Sequence, residues 1–185
     1  NLARNISIHF WPGPLTIILP KKDSVPFEVT GGLDTVGVRC PNHSITRKLI
    51  QVHGHPIAAP SANRFGKISP TKASHVIDDY QGQVPVLDGG DCQIGLESTI
   101  LDLSQELPSI LRLGAITKND LQPFISIFGE STTIAPGTMK AHYAPSTALH
   151  LSENLKQDKI VFEEKGLTVA TLSIDNLEQY AKVLY

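Results

Sequence analysis

The 185-residue sequence has few of the residues that mark the commonest functional classes: two cysteines, one tryptophan and one methionine. Cys40 and Cys92 stand far apart and outside any CxxC spacing. Isolated thiols in a chain of this size argue against a disulfide and for a reducing, cytoplasmic setting. No apolar run approaches the ~20 residues of a membrane span, and the opening residues are not expected to act as a signal peptide. There is no internal repeat or low-complexity tract. Four catalytic signatures are missing too: GxxxxGK[ST], GxGxxG, HExxH and GxSxG. Gly66-Lys67 lacks both the earlier glycine and the following Ser or Thr of the first. His53-Gly54-His55 is at most half a metal site, and at a helix end it reads as surface. Aromatic residues make up 6% of the chain, too few for a base-stacking platform. A start methionine is also lacking. Residues 1–10 read as the tail of a helix already under way, and residues 175–185 as a helix without a stop signal. The expectation is a fragment cut at both ends, holding one domain and part of a second at roughly 100–200 residues per domain.

Charge is balanced in total but not along the chain. No acid lies between Asp34 and Asp78, where Arg39, Arg47, Lys48, Arg64, Lys67 and Lys72 fall. From Asp78 to Glu106 the pattern inverts and no Lys or Arg appears. The first block either concentrates an anionic ligand or is solvated surface.

The apolar pattern predicts an α/β domain with a mixed sheet. Strands are expected at residues 15–19, 35–39, 56–59, 84–87, 98–103 and 109–113. A helix is expected over 43–52, with Gly54 as its C-cap. A second runs from Ser69-Pro70, read as N-cap and first turn, through Tyr80 to a stop at Gly82. Thr117 to Asp120 fits a capping box opening a short helix before Pro123. Residues 88–91 read as a turn. Residues 131–147 read as a linker, and strands at 148–151, 159–162 and 167–174 as the start of a second small α/β domain. The expected division is therefore 1–130, 131–147 and 148–185.

Several polar loops follow or precede these strands: Arg39-Cys40-Pro41-Asn42-His43, Ser61-Ala62-Asn63 with Ser69-Pro70-Thr71, Glu97-Ser98-Thr99, and Arg112-Leu113-Gly114. In open α/β sheets ligands collect at strand ends. Two arginines, several hydroxyls and a helix N-terminus at Ser69 suit a nucleotide phosphate. Each also has a plain structural reading. Ser61 and Asn63 are common turn formers, Ser69 can serve only as a cap, and Arg39 and Arg112 can pair with acids on the sheet face.

The ordered set of segments carries more than any one of them. It comprises WPGPLTIIL (11–19), VGVRCP (36–41), APSAN (59–63) with Gly66 and SPT (69–71), DGG (88–90), ESTILD (97–102), LRLG (111–114) and PGTMKAHYAP (136–145). This set resembles the YrdC-like threonylcarbamoyl-AMP synthases in their two-domain form. The resemblance implies a twisted α/β sheet whose concave face holds a nucleotide. It implies an enzyme, a nucleotidyltransferase that condenses L-threonine, bicarbonate and ATP to threonylcarbamoyl-adenylate and pyrophosphate. The product then passes to a tRNA threonylcarbamoyltransferase, which modifies an adenosine next to the anticodon. Carried over by position, Ser61, Asn63, Ser69, Arg112 and the linker residue Tyr143 match ATP-binding positions. Ala59, Ser98 and Arg39 match positions around threonine. Mg²⁺ enters on the ATP phosphates, not on protein ligands.

The resemblance names no general base. Arg112 is its charge stabiliser, and the rest of catalysis is in-line positioning and exclusion of water. The family also carries an N-terminal basic motif for ATP phosphates, and this chain begins past the matching position. Two other readings stay open from the residues: an RNA-binding module built on the basic block with direct tRNA contact, and a nucleotide or threonine sensor without turnover.

Overall fold

The computed structural model describes residues 1–64, 67–129, 154–165 and 168. Helix α1 (Leu2–Phe10) starts under the Asn1 side chain, which accepts a hydrogen bond from the Ala3 amide at 3.1 Å. That satisfies one of the amides a helix start leaves without a partner. Ile6 on its inner face is wholly buried.

Strand β1 (Leu15–Pro20) follows, then the short α2 (Phe27–Thr30), β2 (Thr35–Val38), α3 (Ser44–His53) and α4 (Ala73–Asp79). Strands β3 (Thr99–Asp102) and β4 (Ser109–Arg112) come next, then α5 (Lys118–Leu121) and α6 (Leu155–Glu164). The sheet is four-stranded and mixed, in the order β2-β1-β3-β4. β1 runs antiparallel to β2 and parallel to β3, while β3 and β4 are antiparallel. The α/β mixed-sheet expectation therefore holds.

One face of the sheet carries the core. Leu15 and Ile17 of β1 and Leu101 of β3 pack with Ile6, Ile116, Leu121 and Ile125. α1, α5 and the residues flanking α5 supply the covering side chains, with Phe10 and Phe124 in edge contact at 5.6 Å between ring centroids. Successive strand residues point to opposite faces, so this arrangement assigns Thr16 and Ile18 to the other side.

Several sequence expectations fail, for physical reasons. The apolar runs at 56–59 and 84–87 form no strand. Each contains a proline, which donates nothing to a ladder, and among the described residues neither has a strand partner. Ile57, Val84 and Leu87 are exposed. The second helix begins at Ala73 with Lys72 at its cap position, not at Ser69. The Ser69 hydroxyl instead donates to Glu97, and the Thr71 amide to the His75 ring at 3.3 Å.

Residues 159–162, expected as a strand, lie inside α6. Asn154 caps that helix, accepting from the Gln157 amide at 3.4 Å, and Lys159 pairs with Glu163 at 3.7 Å one turn on. A four-residue apolar window was too short to show this ten-residue pattern. α2 went unread, although Pro26 before it and the left-handed Gly31 after it mark its ends. The linker at 131–147, with Tyr143, lies outside the described residues. So do the expected strand at 148–151 and all but Thr168 of that at 167–174.

Candidate functional site

Strand register builds the site on the face opposite the core. Leu15 pairs with Thr99 and Ile17 with Leu101, so Thr16 is level with Ile100 on the far side. Ser98, one step before β3, falls on the same side as Ile100 by the two-residue period. The hydroxyls of Thr16 and Ser98 meet there at 2.9 Å.

Arg112 reaches this face through an irregularity. Ile110 stands opposite Leu101, yet Arg112 stands opposite Ile100. Two steps along β4 thus match one along β3, the count of a β-bulge. Regular pairing would leave Arg112 on the side of Ile110, which packs against the core. The extra residue turns the guanidinium toward Ser98. Its Nε–H and Nη2–H donate to the Ser98 carbonyl at 3.1 and 2.9 Å. Nη2 also donates to Ser98 Oγ at 3.2 Å, and it forms an ion pair with Glu97 Oε2 at 3.4 Å. Glu97 Oε1 accepts the Ser69 hydroxyl. Ser69, Glu97, Ser98, Arg112 and Thr16 are thereby one connected cluster, drawn from the Ser69 loop, the segment leading into β3, and strands β1 and β4.

The backbone under the cluster is pinned. Thr99 N donates to Pro14 O at 3.0 Å. Thr99 Oγ1 accepts from the amides of Gly114 and Ile116 at 2.9 and 3.2 Å. Gly114 approaches so closely that a Cβ on it would lie 2.0 Å from Glu97 O.

Asn63 belongs to the neighbouring loop. Its Nδ2 donates to the carbonyls of Arg64 and Lys67 at 3.1 and 2.9 Å. Two carbonyls on one side of the amide fix its orientation, since only the NH₂ can face them. Oδ1 then lies buried with no hydrogen-bond partner among the described residues. Asn63 and Ser69 line one cleft of about 170 Å³, with Lys67, Pro70 and His75 on its wall.

The structure therefore brings Ser69, Ser98 and Arg112 together and places Asn63 in the cleft beside Ser69. Ala59 and Ser61 lie exposed on the stretch leading into that loop and make no hydrogen bond to the cluster. Arg39 is exposed at the end of β2 and has no hydrogen bond or ion pair among the described residues. The helix N-terminus expected at Ser69 as a phosphate seat is absent, because α4 starts at Ala73. The sequence placed Glu97 in a candidate polar loop but gave it no role, and it did not single out Thr16. A lone hydroxyl inside the apolar run 15–19 was the available signal for Thr16. Nothing local signalled a bridge from Glu97 to a residue 28 positions away.

Residues 1–114 match the protein family described as telomere recombination, Sua5/YciO/YrdC. The chain is 45% identical over 189 residues to a threonylcarbamoyl-AMP synthase of Pyrococcus abyssi, an overlap of 92% of this chain and 55% of that protein. It is 43% identical over 161 residues to the Bacillus subtilis threonylcarbamoyl-AMP synthase, covering 82% and 46%. It matches the crystal structure of P. abyssi Sua5 complexed with L-threonine at a TM-score of 0.83 and 36% identity, covering 98% of this chain and 62% of the other. The chain spans about half the length of the curated relatives it matches.

Proposed function

The chain belongs to the Sua5/YciO/YrdC family, and from that premise we propose that the whole protein is a threonylcarbamoyl-AMP synthase. The free amine of L-threonine and bicarbonate form a carbamate with loss of water, and a carbamate oxygen attacks the α-phosphorus of ATP while pyrophosphate leaves. Mg²⁺ enters as part of the substrate, on the ATP phosphates. The threonylcarbamoyl-adenylate passes to a tRNA threonylcarbamoyltransferase.

The observation that carries this reading is the cluster of Arg112, Ser98 and Thr16 on the face of the sheet opposite the core. The carbamate is already an anion, so the attack needs no base. What the chemistry needs is orientation and a positive charge beside the phosphates. Arg112 is the charge, and its two bonds to the Ser98 carbonyl fix the plane of its guanidinium. Ser98 Oγ accepts a further N–H from Arg112, so its own proton is directed to Thr16 or to a ligand. That suits a position beside threonine. Asn63 and Ser69 line the adjoining cleft for the nucleotide. Ser61, Ala59, Arg39 and Tyr143 complete the proposed set by their match to the family's positions, Ser61 and Tyr143 with ATP, Ala59 and Arg39 with threonine.

Calorimetry of ATP binding with and without L-threonine and bicarbonate tests the shared pocket, and a pyrophosphate-release assay tests turnover. The expected outcome is tighter ATP binding with threonine, and pyrophosphate only when all three substrates are present. ATP binding indifferent to threonine, with no pyrophosphate released, would overturn the synthase reading in favour of a sensor. A steep salt dependence of tRNA binding without any ATP effect would favour a nucleic-acid module.

A further inference from the structure

Glu97 presents a problem of sign. A carboxylate 3.4 Å from the arginine proposed to meet a polyphosphate opposes an incoming anion electrostatically. We propose that Glu97 is a positioning residue that couples the Ser69 hydroxyl to the Arg112 guanidinium, setting both for the nucleotide as one unit. This rests on the nucleotide reading of the site given above.

Both carboxylate oxygens are engaged, and on different elements. Oε1 takes the Ser69 hydroxyl from the loop. Oε2 takes an Arg112 N–H from the end of β4. The partners lie 28 residues before and 15 residues after Glu97, so no local turn holds them together. The backbone that carries the carboxylate is fixed from both sides. Glu97 O accepts from Ala115 N at 3.3 Å, and Gly114 leaves no room beside that carbonyl even for a Cβ. The Arg112 side chain is 14% exposed and that of Glu97 31%, so the pair is shielded enough for its geometry to persist.

A polarity follows. Ser69 has one proton and gives it to Glu97, so toward a ligand it offers lone pairs. It therefore faces the N–H or O–H groups of the nucleoside, while Arg112 faces the phosphates. A neutral amide at position 97 keeps one acceptor oxygen. That oxygen can stay on Arg112, but only the NH₂ is then left for Ser69, which reverses that bond, frees the Ser69 proton and removes the charge that sets the two groups together.

The test is a double-mutant cycle on the full-length protein, read as ATP affinity by calorimetry. S69A, R112A and the double variant are compared with Glu97 present and in an E97Q background. Residues that act as a unit deviate from additivity, by about fivefold or more in affinity for groups in one network. The expected result is that deviation with Glu97, and losses that multiply to within about twofold in E97Q. Should E97Q fail to fold, judged by its thermal transition, E97D takes its place. It keeps the charge but is one methylene too short for both partners, and the coupling is expected to vanish there too. Equal coupling in both backgrounds, or additivity already with Glu97, would overturn the positioning role while leaving the nucleotide site intact. Unchanged ATP affinity in both S69A and R112A would remove the nucleotide reading, and this proposal with it.

Discussion

Ser98 takes three hydrogen bonds from Arg112, two on its carbonyl and one on its hydroxyl. A planar fork is required for that, and lysine has none. Arg112→Ala is expected to weaken ATP binding to the complete protein by about 1.5–3 kcal/mol, the scale of a hydrogen bond to a charged group. Arg112→Lys should recover little of it. Calorimetry decides, and unchanged nucleotide affinity in the alanine variant would sink the assignment of this arginine.

Gly114 makes a second residue-scale prediction. A methyl there meets the Glu97 carbonyl oxygen at 2.0 Å and the Thr99 nitrogen at 2.7 Å, backbone atoms that cannot swing away. Gly114→Ala should therefore cost about 1–3 kcal/mol of stability, as overpacking does, measured by denaturant unfolding. It should also disturb the Glu97 bridge. Arg112, Ser98 and Ser69 were legible from the sequence as polar residues at strand or loop ends. Glu97 was legible in the same way, but its bridging role was not, because that lies in partners only the fold brings near.

Among the elements, α5 shows how far local chemistry reaches. Thr117 and Asp120 form the reciprocal capping box that their spacing predicts. The Thr117 hydroxyl and then its amide hold the Asp120 carboxyl below the ordinary carboxylate range. A lowered carboxyl pKa contributes stability that is full above the unfolded value and is lost as pH falls through the folded one. Protection of the Thr117 amide, its exchange rate taken relative to the intrinsic rate at each pH, should fall across that acid window, and Asp120→Asn should flatten the pH response. Protection indifferent to protonation of Asp120 would refute the cap's role. At α4 the same local reasoning misplaced the start, because Ser69 found a charged acceptor on the sheet instead of the helix amides. The apolar windows at 56–59 and 84–87 read as strands since their composition suits one, but a strand exists only where a neighbour supplies the ladder.

At the scale of the whole molecule, the sheet separates stability from chemistry by face. Leu101 is wholly buried at the centre of the core, and Leu101→Ala is expected to cost about 2–5 kcal/mol, the range for a large-to-small core change. Urea unfolding would measure it, and a loss below 1 kcal/mol would mean that this core does not carry the fold. The opposite face holds Thr16, Ser98 and Arg112 at one end of the strands. A core face on one side and a hydrogen-bonded polar cluster on the other suits a mixed sheet that binds its ligand on one side.

The sequence by itself determined the features that depend on neighbours within about one turn. The apolar run of β1, the left-handed Gly54 closing α3 at φ 77 and the capping box of α5 all follow from residues within four positions of one another, whose local preferences the chain keeps wherever it lies. The order of the matching segments determined the family in the same way. Tertiary structure alone decided the rest. Thr16 meets Ser98 across 82 positions. Arg112 faces Ser98 only because β4 carries one residue more than β3 at that point. Ser69 turns to Glu97 only because loop and strand are packed together. Each is a pairing between distant segments, and a one-residue change in register would send the same side chains to the other face of the sheet.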